Sequence, residues 1–396
     1  MEIRTGFLIG QAIDELISRN KISAAFFQEE AMRLAVECRE MAARFVSGGR
    51  LLAFGRGPHA TDAQHVSVEF VHPVIVGKRA LPALDSTPYF DGRMFIPIGA
   101  RDILMGFGPP GGDPEVEAEL ARFHEKGILT FALPGGVGHY ATPAPSSDPF
   151  IHQELIEVLH HTLWETVHVF FEHREMGRDV GESDFLYPFP GTAGNDTSQV
   201  LDDAASSIEA KASEVSRLRV EIAEDGSDLL ARAAVAMYAR VREGGKILTF
   251  GNGGSATDAN DFAYDCMIPP SGMEPIPAIS LSLEPANLTA VADDVGVESV
   301  FLHQLFAHGR SKDVAVAFSP SGGSENVMSC LKEARKRGLL TIAFLGYDGG
   351  EIGRKSLADF AFVVHSTHIP RIQEVHASMY HVLRALLESI RIHEVT

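Results

Sequence analysis

Gly251-Asn252-Gly253-Gly254-Ser255 follows a short apolar run and opens a helical one. Glycines there let the backbone turn its amides towards an anion, and a helix N-terminus adds favourable partial charge. Ser319, Ser321 and Ser324 lie on a second loop, again with a strand pattern before it and a helix pattern after it. A single glycine loop is weak evidence, because most simply turn the chain. Two serine-bearing loops on adjacent strands are stronger evidence for a phosphate, held by Asn252, Gly253, Gly254, Ser255, Ser319, Ser321 and Ser324.

The elements that must position these loops are spelled twice. Gly48-Gly49-Arg50-Leu51-Leu52-Ala53-Phe54-Gly55 recurs as Gly244-Gly245-Lys246-Ile247-Leu248-Thr249-Phe250-Gly251. The run from Asp102 to Asp113 matches Asp313 to Ser324, and Lys126–Ala132 matches Arg337–Ala343. Gly127 and Gly338 stand where a helix should stop before a strand. Helical patterns over about 10–46 and 198–242 precede the copies, and others over about 149–174 and 370–393 close them. Short apolar strands alternating with amphipathic helices predict an α/β protein: two tandem three-layer αβα domains, each a parallel sheet flanked by helices. The expected domains are 1–176 and 200–396, with the Gly-, Pro-, Ser- and Asp-rich stretch 177–199 as linker. Ligands in such sheets bind at the carboxyl ends of the strands, where both loops fall.

The first copy differs in kind. His59 stands where Ser255 does, and Gly108, Pro110 and Asp113 replace Ser319, Ser321 and Ser324. Proline removes a donor and Asp113 repels an anion, so this loop pair is expected not to bind phosphate. What the first copy retains is a different set. His65 and Glu69 fall on one helix face, and Gln153 and His161, eight apart, share roughly one face of another helix. Imidazole and carboxylate suit zinc, whereas an amide oxygen is a less usual ligand. His160, next to His161, blurs which histidine would serve.

Composition excludes several classes of function. A net charge of −19 over 396 residues argues against a nucleic-acid partner, since phosphate neutralisation needs a basic face. The apolar runs are too short to span a bilayer, and the N-terminus carries no export pattern, so a cytoplasmic protein is expected. Cys38, Cys266 and Cys330 form no CxxC pair and read as buried, reduced thiols.

Gly-Asn-Gly-Gly-Ser-Ala, then Ser-x-Ser-Gly-x-Ser, then Arg371-Ile372-Gln373-Glu374-Val375-His376 resemble the sugar isomerase (SIS) domain, and within it phosphoheptose isomerase. The likeness covers essentially the whole chain as two copies. It implies a zinc site with proton-transfer residues, built from a His and Glu four apart and a Gln and His eight apart. The first copy matches fully, with His65, Glu69, Gln153 and His161. The second offers Asp261, Asp265, Gln373 and His381, a possible second metal site with two positions altered. The resemblance also implies Glu69 as base and His161 as acid in an aldose–ketose isomerisation through an ene-diol, and a homo-oligomer in which two tandem chains mimic a tetramer. Because the copies are defective in different places, we expect a composite site, with phosphate held by the second copy and acid–base groups supplied by the first. Pro370 replaces an acidic residue, and Pro73 and Pro269 a basic one, near where sugar hydroxyls would lie, so the sugar need not be a heptose. A competing reading is a non-catalytic phosphosugar-binding regulatory or assembly protein, and a third is another phosphosugar isomerase or lyase.

Overall fold

In a computed structural model the described residues are 2–74, 78–176 and 197–395. Most of the expected 177–199 linker lies outside them. The chain forms two compact units, residues 21–214 and residues 1–20 with 215–396. The sequence repeat would divide the chain at 176 and 200, whereas the compact units divide it inside two helices, α1 (Glu2–Val46) and α5 (Thr197–Asp225). A 45-residue helix is about 67 Å long, well beyond one small domain. Leu8, Ala12 and Leu16 accordingly belong to one core, while Phe27, Leu34 and Met41 belong to the other.

The unit of residues 21–214 holds β1 (Leu51–Gly55), α2 (Ala60–Val71), β2 (Ala83–Asp85), β3 (Ile103–Phe107), α3 (Pro114–His124), β4 (Leu129–Leu133), β5 (Tyr140–Ala141) and α4 (Pro149–Met176). Its sheet runs β2-β1-β3-β4-β5, every neighbour parallel. Strand alternation splits the core in two. Leu51, Ala53, Ile103 and Met105 face α2 and α4 residues such as Val66 and Leu159, whereas Leu52, Phe54 and Leu104 pack with Val116 and Leu120 of α3. These are the three expected layers.

The other unit repeats the plan. After α6 (Ser227–Arg242) come β6 (Ile247–Gly251), α7 (Gly254–Met267), β7 (Ala278–Ser280), α8 (Pro285–Asp294), α9 (Val300–His308), β8 (Val314–Ser319), α10 (Glu325–Lys336), β9 (Leu340–Gly346), α11 (Gly350–Arg354), β10 (Phe360–Val364) and α12 (Ile369–Val395). The order β7-β6-β8-β9-β10 is again all parallel. The helical pattern expected over 198–242 is broken at Gly226, which ends α5 and starts α6. Gly127 and Gly338 end their helices with φ of 76° and 82°, as expected of helix stops. All three cysteines are buried and free. Among the described residues no helix is long and apolar enough to cross a membrane.

Candidate functional site

In each sheet the strand order reverses beside the first strand, and the crevice lies at the carboxyl ends of β1 and β3, or of β6 and β8. Gly251 pairs with Phe318, so the loops after β6 and β8 emerge side by side. Glycine is required at the turn: a Cβ on Gly251 would sit 2.3 Å from the Ser255 carbonyl oxygen, and one on Gly55 would sit 2.1 Å from that of His59.

The serines of the second copy differ in burial and in what they bond. Ser255 and Ser319 are buried, and the Ser319 hydroxyl has no hydrogen-bond partner among the described residues. Ser324 holds the N-cap position of α10 in extended conformation, yet its side chain does not cap the helix. Ser321 is exposed and its Oγ accepts from the Gly323 amide at 3.3 Å. Asn252 and Asn326 tie the two loops together by reciprocal amide bonds, with Nδ2 to Oδ1 distances of 3.0 and 2.9 Å.

In the first copy the chain's own carboxylates occupy these roles. Asp113 caps α3, accepting from the Glu115 and Val116 amides at 3.0 and 3.2 Å. Arg56 approaches Asp113 at 3.4 Å and Glu115 at 3.0 Å. His59, in place of Ser255, turns its Nδ1 to Asp62 at 3.3 Å. A helix N-terminus and a guanidinium that could attract a phosphate are thus already matched with negative charge.

The metal and proton-transfer candidates of the first copy converge. His65 and Glu69 sit one turn apart on α2, and His161 reaches them from α4. His65 Nε2 and His161 Nε2 are 3.3 Å apart, and Glu69 Oε1 lies 3.8 Å from the first and 4.0 Å from the second. All three residues are buried. Burial, and secondarily the neighbouring His161, pushes the His65 imidazole well below its usual range, so it is neutral, the form that binds metals. Ligand atoms around a tetrahedral zinc ion stand about 3.3 Å from one another, so this donor set fits the ion without large movement. Gln153 is buried on α4 two turns before His161, about 12 Å along the helix axis.

Of two further neighbours, Glu157 went unnoticed in the sequence and His160 was noted only as the rival of His161. Glu157 is buried on α4, with a carboxylate oxygen within 4.8 Å of a His65 nitrogen. Its signal was its position four residues after Gln153 and four before His161. His160 is buried, its ring centroid 4.7 Å from that of His65 and 4.9 Å from that of His161, yet its nitrogens do not join the trio. The histidine that meets Glu69 is His161.

The second copy closes its equivalent set differently. Asp261, Asp265, Gln373 and His381 are all buried. Asp261, Asp265 and His381 do not gather into a comparable trio; instead His381 Nε2 lies 3.1 Å from Asp265 Oδ2. Asp258, one turn earlier on α7, was also missed; burial pushes its carboxyl well above the usual range, against the opposing effect of the Gln373 amide.

Comparison with known proteins agrees with this architecture. The SIS domain family matches residues 212–346. Phosphoheptose isomerase of Thermodesulfovibrio yellowstonii is 40% identical over 175 residues, which is 44% of this chain and 86% of that protein. The enzyme of the same name from Pelobacter propionicus is 40% identical over 191 residues, 48% of this chain and 97% of its own length. A solved structure of a putative tagatose-6-phosphate ketose/aldose isomerase from Clostridium novyi covers 99% of this chain and 91% of its own, with a TM-score of 0.58 at 12% identity. That last likeness concerns the fold alone. Two parallel sheets with the same strand order, a matching SIS domain and relatives that each span a single copy lead to one conclusion: the chain belongs to the SIS-domain family, as a tandem protein similar to the phosphoheptose isomerases.

Proposed function

We propose that this protein is a phosphosugar aldose–ketose isomerase, converting sedoheptulose 7-phosphate to a heptose 7-phosphate. The observation that carries the reading is the buried convergence of His65, Glu69 and His161 in one copy, taken together with the unspent Ser319 hydroxyl of the other. The relatives' names agree with it.

Ser255, Ser319, Ser321 and Ser324 hold the phosphate and fix the sugar chain, with Asn252 and the amides of Gly253 and Gly254 completing the loop. Glu69 takes a proton from the carbon beside the carbonyl and returns it to the former carbonyl carbon. His161 moves the compensating proton between the two oxygens, so the ene-diol forms and collapses with no net gain or loss of protons. His65, Glu69 and His161, with Gln153 as a further candidate, would hold a zinc-type ion, which when bound polarises the substrate oxygens. The phosphate set and the acid–base set then act on one substrate, as a composite site. Burial around Glu69 suits a base, because desolvation removes the water that would compete for the substrate proton.

Proton NMR of zinc-loaded protein with sedoheptulose 7-phosphate in deuterated water tests this. Deuterium entering at the carbon beside the carbonyl, with an aldose appearing, is the expected result. Binding without exchange at any phosphosugar of a panel would refute it. The Asp265–His381 pairing favours the non-catalytic reading for the second copy alone, and metal content separates the two, since a pure binder needs none.

A further inference from the structure

Helix α4 carries a polar group that the isomerase reading leaves idle. From Ile151 to Val167 every residue of this helix is buried, an environment that usually selects apolar side chains. His160 is 0% exposed, and neither Nδ1 nor Nε2 has a hydrogen-bond partner among the described residues. Buried polar groups are almost always partnered, and each one left alone costs about 1–3 kcal/mol. A neutral imidazole offers one donor and one acceptor, so two bonds are outstanding. The ring packs beside His65 and His161 at 4.7 and 4.9 Å, within the cluster that holds the acid–base groups. It stands outside the ligand trio, so a metal bound there would not take up these nitrogens.

The missing partner must give and accept hydrogen bonds within a few ångströms of the reacting carbons. A sugar hydroxyl does both, and a phosphosugar chain presents several in a row. We propose that His160 is a specificity-determining residue, exchanging a hydrogen bond with a hydroxyl of the phosphosugar beside the carbons that react. The inference rests on the isomerase reading. The second copy places Tyr380 at the matching position of α12, beside the altered Asp265–His381 pair.

The test compares wild type, His160→Phe, which keeps a ring without nitrogens, and His160→Gln, which keeps a donor and an acceptor. Each is assayed with sedoheptulose 7-phosphate and its singly deoxygenated analogues, with zinc content measured alongside. Expected for His160→Phe is a KM raised about tenfold, a kcat within about threefold of wild type and unchanged zinc, as one lost hydrogen bond implies. His160→Gln should recover much of the KM, and one deoxy analogue should no longer distinguish wild type from His160→Phe. Should His160→Phe fail to fold, the comparison of His160→Gln with wild type across the analogues decides. Unchanged KM and unchanged discrimination in an active enzyme would overturn the role of His160 while leaving the isomerase standing. Loss of zinc in His160→Phe would also overturn it, by making the residue part of the metal site. A wild type that turns over no phosphosugar overturns both readings, and is recognised by that alone.

Discussion

Where Asn252 and Asn326 bridge two loops by a pair of neutral amide bonds, the matching positions of the first copy hold Arg56 and Glu115, bridged by an ion pair. The backbone plan is the same, but the charges change what the crevice can accept. In the second copy the bridge is neutral and the Ser319 hydroxyl is unspent. In the first, Asp113 joins the bridge and covers the amides that open α3. The acid–base helices differ in the opposite sense: three donors converge in the first copy, whereas Asp265 and His381 close on each other in the second. On the proposed reading, a duplicated fold keeps its sheet and loses half of its chemistry in each copy, the losses complementing one another.

The strongest way to break this comparison is at the metal. His65→Ala should lose bound zinc and at least about a thousandfold in turnover, while His381→Ala should keep its zinc; elemental analysis and turnover of both variants check this. Equal loss in both would place the functional metal in the second copy as well.

A feature that the copies share predicts a pH effect. His152 Nε2 meets the Gly108 carbonyl oxygen at 3.0 Å, and His376 Nε2 meets that of Leu345 at 2.9 Å; burial lowers each imidazole to about 4. The folded protein keeps His376 neutral while the unfolded chain takes up a proton near pH 6.5, so stability is complete above that pH. It falls as the pH drops towards 4, by up to about 3 kcal/mol for this residue. Urea unfolding at pH 7 and pH 4.5 should show a smaller difference in His376→Gln than in wild type.

Smaller effects sharpen the contrast between loops. Ser319→Ala should raise the dissociation constant for a phosphosugar about tenfold with kcat little changed, as calorimetry and kinetics would show. Asp113→Ala, at the equivalent of Ser324, should cost about 1 kcal/mol of stability through the lost cap and leave phosphosugar affinity unchanged. A tenfold weaker affinity in Asp113→Ala would show that the first loop pair still holds substrate.

Much of this was legible because it rests on local pattern. Leu51–Gly55 and Ile247–Gly251 read as strands from their apolar runs and glycine borders, and the repeat implied the same parallel-sheet plan in both copies. The convergence of His65 and Glu69 with His161 was legible only through resemblance, since spacing places residues on a face without saying what the face meets. Gly226 breaks a helix that the pattern ran through, because one glycine costs too little to override periodicity on paper. The division of α1 and α5 between units was hidden for the same reason: an amphipathic stripe does not name its partner. Glu157 was overlooked because a buried carboxylate on an apolar helix looks like a solvated one until burial is known.

Glu69→Gln and Ser321→Ala, measured side by side for turnover and for phosphosugar affinity, are the most direct test. Glu69→Gln should abolish turnover and bind as tightly as wild type, while Ser321→Ala should mainly bind more weakly and still turn over. Equal loss of affinity in the two variants would contradict the division of labour between the copies.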